Sequence, residues 1–393
     1  MYKWLPRKYR KIDPEVVASL QRHASIALLA IIAGLTAILF WRLAALRMDF
    51  YNNLWAPAYL LVHRQNPYDT AILHPALPAL WFPMAVGFFS PLGLLSETIA
   101  TKVWFVITVA ELFATLLLIL HDRLKLQEVA IIGPLVFLFP PLLNHFALGQ
   151  FSITILLCLL LSAYFAGKRR DWLAAAFLAL GLAKPQLAIL ALPGLGLYYF
   201  QLGGLKTLSR FGMQTALMSF LLSLPLFIWH PYWIPAWVES LHSNFTWLHP
   251  SLFSVLKQAI GQWGYLLWGM LGVTGLFICH QLWKNLPPLE AMSWSLGLTT
   301  IITPYIWSWD FILLLPAWAL TFSYVGWKGK IFLLMTYWIG WLGFAFVHRL
   351  AGSSNDMFWW FPLWFLLGTA LVALMKTRRH NLITLDRLPG PRL

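Results

Sequence analysis

The sequence predicts an all-α polytopic membrane protein, and three observations predict it. Hydrophobic residues make up 60% of the 393 and charged residues only 11%; mean hydropathy is +0.70; and the apolar runs are continuous rather than alternating. Ordinary soluble domains are about half apolar and a quarter charged. In hydrocarbon every backbone polar group must bond internally, so chains cross as helices of roughly 20 residues or as closed barrels. Unbroken apolar runs suit helices; a barrel would alternate.

Taken in chain order, the runs give about twelve transmembrane helices. The first, 24–46, follows a basic segment at 1–23 and is too long for a signal peptide. Arg42 and Arg47 close it without a small-x-small cleavage site, so it is expected to be a retained anchor. Residues 47–97 form a first loop containing interfacial helices. Phe50, Leu54, Ala58 and Leu61 recur at roughly helical spacing, as in a helix lying on the bilayer surface. The run "QNPYDT" then breaks it, and "FPMAVGFFSPLGLL", interrupted by Pro83 and Pro91, reads as a re-entrant or interfacial hairpin. Runs at 98–120, 129–146, 151–167, 172–186, 187–200 and 211–230 follow, then 263–283, 290–304, 308–324, 331–348 and 358–375, before a basic tail at 376–393.

Charge tests the order of these runs. With the N-terminus in the cytoplasm, 21 of the 28 Lys and Arg fall on the inner side. The exceptions are Arg42, Arg47, Arg64, Lys102, Lys184, Lys257 and Arg349. Both termini are therefore expected inside, and the acidic and aromatic loops outside. The net charge of +14 sits in short clusters at helix ends, where membrane lipids and topology account for it, so nucleic acid is not a partner. Cys158 and Cys279 lie within apolar spans, which implies neither disulfide nor metal site. No repeat or long linker divides the chain, and 1–393 is expected to be one membrane domain. P-loop, dinucleotide, zinc-protease and nucleophile-elbow motifs are absent. "LGGLK" at 202–206 is an inner loop rather than a phosphate cradle.

The outer segments hold most of the chemistry. In sugar transfer from a lipid phosphate, an acceptor hydroxyl attacks the anomeric carbon in line, and one carboxylate within reach takes its proton. Phosphate is already a good leaving group, so no second acid is needed, unlike glycoside hydrolysis. Asp49, where greasy helix meets "MDFYNNLWAPAYLLVHRQNPYD", can fill that role or simply cap the helix that follows.

That stretch resembles the signature of glycosyltransferase family 87, with an Asp-Phe leading an aromatic, Ala-rich helix toward Pro-Tyr. "PPLLNHFALGQFSITILLCLLLSAYFAGKRRDWLAAAFLALGLAKPQLAILALP" and "TPYIWSWDFILLLPAW" resemble two later blocks of the same family, so the likeness spans about 48–320. It implies a GT-C-type helical bundle in the plasma membrane of a bacterium. It also implies a polyprenyl-phosphate-sugar donor, mannose most commonly, a glycolipid or glycan acceptor at the outer face, inversion, and no cofactor. Asp49 is then the catalytic base.

Around it, Lys184 is a candidate point charge for the donor phosphate, or an interface anchor that snorkels. Gln150 and His145 flank the turn between two spans and can bind substrate or cap helices. Asp310 takes the place where relatives often carry His; Trp309 is its neighbour, and Trp is common at any membrane interface. Tyr68 can contact substrate or hold its turn, and Arg64 is a further outer cation. Glu111, inside a span, needs a partner or water. A lone candidate carboxylate favours metal independence. A transporter or flippase of a lipid-linked sugar is the competing reading, although such carriers usually show internal repeats and midplane polar residues; a non-catalytic envelope scaffold is the third.

Overall fold

The computed structural model describes residues 14–41, 48–69, 82–120, 125–242, 248–351 and 355–385. The basic residues at 1–13, Arg42, Arg47, Arg123 and the end of the tail, including Arg387 and Arg392, lie outside them, as does the whole stretch 70–81. Every regular element among the described residues is helical.

The apolar segments appear in the expected order. Helix α1 is Pro14–Phe40; α2 Met48–Phe50 leads through a π turn, Tyr51–Trp55, into α3 Ala56–Val62; α4 Pro83–Phe89 runs into a 3-10 turn, Ser90–Leu94, and then α5 Glu97–Leu120. Leu126–Phe137 and Pro140–Leu148, α6 and α7, meet at a 53° bend, where Pro140 cannot continue the preceding helix. Helix α8 is Ser152–Gly167, α9 Asp171–Gly181, α10 Ala191–Trp229, α11 Trp233–His242 and α12 Leu252–Ile260. Helix α13 is Gln262–Asn285, α14 Pro288–Ile302, α15 Leu315–Tyr324, α16 Trp327–Ala351 and α17 Trp360–Leu385.

Six of these helices are long and apolar enough to cross a membrane, seven if α6 and α7 form one bent span. The other apolar runs fold as shorter helices: α8 has 16 residues, α9 11, α14 15 and α15 10. At 1.5 Å per residue they reach only about 15–24 Å. Two expected spans, 187–200 and 211–230, are limbs of α10, which breaks at Gly203–Gly204, where Gly204 adopts φ 63.

One continuous apolar core extends from Leu29 to Val372. Helix α8 lies inside it, packed by α5, α9 and α14. The segment at 48–62 departs from expectation. Phe50, Leu54, Ala58 and Leu61 are buried within the protein, so their stripe faces the core and not a lipid surface. Close backbone approach explains this: a Cβ on Gly93 would lie 2.4 Å from the carbonyl of Ala58. The "FPMAVGFFSPLGLL" segment is likewise held by protein, since a Cβ on Gly87 would lie 1.9 Å from the Leu222 carbonyl oxygen of α10.

Candidate active site

Segments assigned by charge to one face meet at one end of the bundle: 48–52, the α7–α8 turn, the turn at Lys184 and the loop at 305–310. The α7–α8 turn is the floor. Helix α7 stops at Gly149, in the left-handed conformation at φ 68, as glycine does at helix ends, and Gln150 N–H closes the turn on the His145 carbonyl at 3.1 Å. Phe50 sits over this glycine: a Cβ there would come 2.6 Å from the Cβ of Phe50. Trp104 stacks on Phe50 with centroids 6.3 Å apart and donates its indole N–H to the Gly149 carbonyl at 3.0 Å. Phe50 is thus clamped, and its neighbour Asp49 is delivered to Gln150, whose Nε2 donates to Asp49 Oδ2. Gly149→Ala meets both a disfavoured φ and this overlap. It is expected to cost about 1–3 kcal/mol, read by thermal unfolding in detergent.

The second part is a buried ion pair. Lys184 follows the end of α9 and precedes Pro185, which disfavours helix at Lys184 (φ −122) and starts a 3-10 turn, Pro185–Leu187. Its Nζ donates to Asp310 Oδ1 at 2.7 Å and to Ser152 Oγ at 2.9 Å, and Ser152 Oγ–H donates to the same Asp310 oxygen. Asp310 Oδ2 accepts the Trp307 N–H at 3.1 Å and caps its own 3-10 turn, Ser308–Leu314. Exposure is 1% for Lys184 and 0% for Asp310. Lys184, expected either as a point charge for the donor phosphate or as a snorkelling interface anchor, is buried here with its charge neutralised by Asp310.

Asp49 differs from Asp310 in being partly exposed. Burial pushes its carboxyl up to about 6, against the Gln150 hydrogen bond and the Lys184 charge, which pull it down, while the Asp310 charge adds to the rise. The result is a carboxylate with one oxygen fixed, a partly open face, and a proton affinity near neutrality.

The remaining candidates divide. His145 is fully buried and its Nε2 accepts the Ile153 N–H at 3.2 Å, so it caps the start of α8. Trp309 stacks on Trp307 at 5.0 Å, and His249 lies edge-on to Trp307 at 4.8 Å, making an aromatic rim beside Asp310. Tyr68 and Arg64 do not join this cluster. Tyr68 packs with Trp233 against Leu61, Val86 and Leu226, and Arg64, exposed at φ 59, lies a helix away from Asp49, about 20 Å at 1.5 Å per residue. Glu111 has the partner its place in α5 requires: Thr154 Oγ1 donates to it at 2.7 Å.

Sequence reasoning passed over Ser152, Trp307, His249 and Asn52. Asn52 is 1% exposed in the π turn, and neither side-chain polar atom has a partner. Its signals were faint: a buried amide one turn beyond Asp49, on the same helix face, and a serine two residues past Gln150 that reads as an ordinary helix start.

Comparison with known proteins gives a family match: the sequence model of glycosyltransferase family 87 matches residues 80–304, more than half of the chain. The matched region contains His145, Gln150, Ser152 and Lys184 and stops short of Asp49 on one side and Asp310 on the other. No curated protein and no solved structure matches.

Proposed function

This chain belongs to glycosyltransferase family 87 and is a membrane glycosyltransferase, and from that premise we propose that it moves a hexose, mannose first among them, from a polyprenyl-monophosphate donor to an acceptor hydroxyl. Transfer inverts the anomeric carbon and takes place on the outer face, with a glycolipid or glycan as acceptor. The acceptor O–H gives its proton to Asp49 as its oxygen bonds to the anomeric carbon. The bond from that carbon to the phosphate oxygen breaks, and the lipid phosphate leaves with the electron pair.

The observation that carries this reading is the contrast between the two aspartates. Asp310 has both oxygens occupied and no exposure, whereas Asp49 is partly exposed, fixed through one oxygen by Gln150, and raised to about 6. General bases work best with proton affinities near the operating pH. In this scheme Gln150 positions Asp49, Lys184 moderates its affinity for the proton while holding Asp310 in place, and Trp309 and Trp307 wall the side where a sugar ring rests. The outward orientation rests on the distribution of Lys and Arg.

Two measurements test it. A panel of polyprenyl-phosphate sugars, incubated with the protein and extracted membrane lipids, is expected to yield one glycosylated product by mass spectrometry; products formed only from nucleotide sugars would overturn the donor. The pH profile follows from the sign of the shift. A base must be unprotonated, so the transfer rate should rise with pH through about 6 and level off above it, and a rate that falls across this range would exclude a carboxylate base.

A further inference from the structure

At the opposite end of α8 from the candidate active site, the turn into α9 and one face of α10 enclose an open cavity of about 810 Å³, within the usual size of ligand sites. Three arginines line it: Arg169 and Arg170 from the turn, and Arg210 from α10. Asp171 is the acidic residue on its wall, and it is paired with Arg210 at 2.7 Å. Three positive charges therefore face one negative charge. The first turn of α9, Asp171 to Leu173, also lines the cavity, and a helix N-terminus favours an anion.

The rest of the wall is apolar and graded. Arg210, Met213, Gln214 and Leu217 fall at i, i+3, i+4 and i+7, one face of α10, so the cavity runs from a guanidinium at one end to aliphatic side chains two turns away. Met213 is 67% exposed, Leu217 45% and Trp172, across from them on α9, 51%. A soluble anion has no use for such a wall. Between the two zones lies Gln214, whose side-chain oxygen is buried in the wall and has no partner.

We propose that this cavity binds an anionic glycerophospholipid, with its phosphate on Arg169, Arg170 and Arg210 and an acyl chain along Met213, Leu217 and Trp172. It is a structural lipid site separate from the transfer site, and it ties the α8–α9 turn to α10. General attraction of basic loops to an anionic leaflet is the alternative, and it predicts no dependence on these particular arginines.

The test is native mass spectrometry of the purified full chain titrated with phosphatidylglycerol or phosphatidylcholine. Wild type should retain phosphatidylglycerol preferentially. Arg169→Ala with Arg170→Ala should weaken it roughly 30-fold, about 1 kcal/mol for each arginine, and leave phosphatidylcholine unchanged. Arg169→Lys with Arg170→Lys should restore most of the preference. Lys284→Ala with Lys328→Ala, which removes two basic residues from helix ends that the charge distribution assigns to the same face, serves as control. An equal loss in the control, no loss in the arginine pair, or equally tight binding of soluble glycerol phosphate would each overturn the assignment.

Discussion

Asp49→Asn is expected to lower sugar transfer roughly 10²–10⁴-fold, the range a positioned general base supplies, while the protein keeps its stability and elution profile. The substitution is close to isosteric. An asparagine oxygen can still accept from Gln150 Nε2, which now meets Asp49 Oδ2, and the Phe50–Trp104 stack that carries the segment is untouched. What disappears is the lone pair that takes the acceptor proton. The residual activity should also lose its rise through about pH 6, since the group responsible for it no longer titrates. Asp49→Ala should be as inactive and slightly less stable, because Gln150 Nε2 is left inside the turn without its acceptor. Rates come from the polyprenyl-phosphate-sugar assay and stability from thermal unfolding in detergent. A fully active Asp49→Asn would remove Asp49 from the chemistry, and an unfolded one would make it the structural cap that its place before Phe50 also permits.

Helical order was legible in the sequence because hydrocarbon makes it so: continuous apolar runs have few folds open to them, and the twelve correspond to helices, limbs of α10, the bent pair α6–α7 and a 3-10 turn leading into α15. What each run faces was less legible. Hydropathy registers burial and lipid exposure alike, so α8, buried among α5, α9 and α14, gives the same apolar run as a lipid-facing helix. The same ambiguity made the stripe of Phe50, Leu54, Ala58 and Leu61 look like a lipid-facing surface when it faces the core. At the site, local signals were sound: Gly149–Gln150 is a left-handed turn, and Lys184–Pro185 ends a helical stretch. Proximity along the chain misled for Tyr68 and Arg64, which share a quoted motif with Asp49 and yet stand at the far end of its helix. Pairing was the least legible, since Lys184 and Asp310 meet across a separation of 126 residues that no local pattern encodes.

That pairing carries the other large effect. Asp310→Ala is expected to destabilise the protein by about 3–5 kcal/mol, because it removes the carboxylate paired with a buried ammonium. Ser152 Oγ, a neutral acceptor, still meets Lys184 Nζ. Lys184→Met should cost less. Asp310 keeps Ser152 Oγ–H and the Trp307 N–H, two donors that continue to hold its charge. Lys184→Met combined with Asp310→Leu should recover most of the loss, since replacing a buried pair by apolar groups of similar volume is often neutral. Activity separates frame from field. The two charges act on Asp49 in opposite senses, Lys184 lowering its proton affinity and Asp310 raising it, so Lys184→Met alone should move the pH midpoint of transfer upward. In the double variant the two effects largely cancel, and the midpoint should stay near that of the wild type with turnover largely retained. Unfolding in graded detergent and denaturant, together with pH–rate profiles, reads all three variants. If the stable double variant is instead inactive with every donor, Lys184 contributes directly to handling the phosphate, and the pairing with Asp310 is one state of a cation that must be released during turnover.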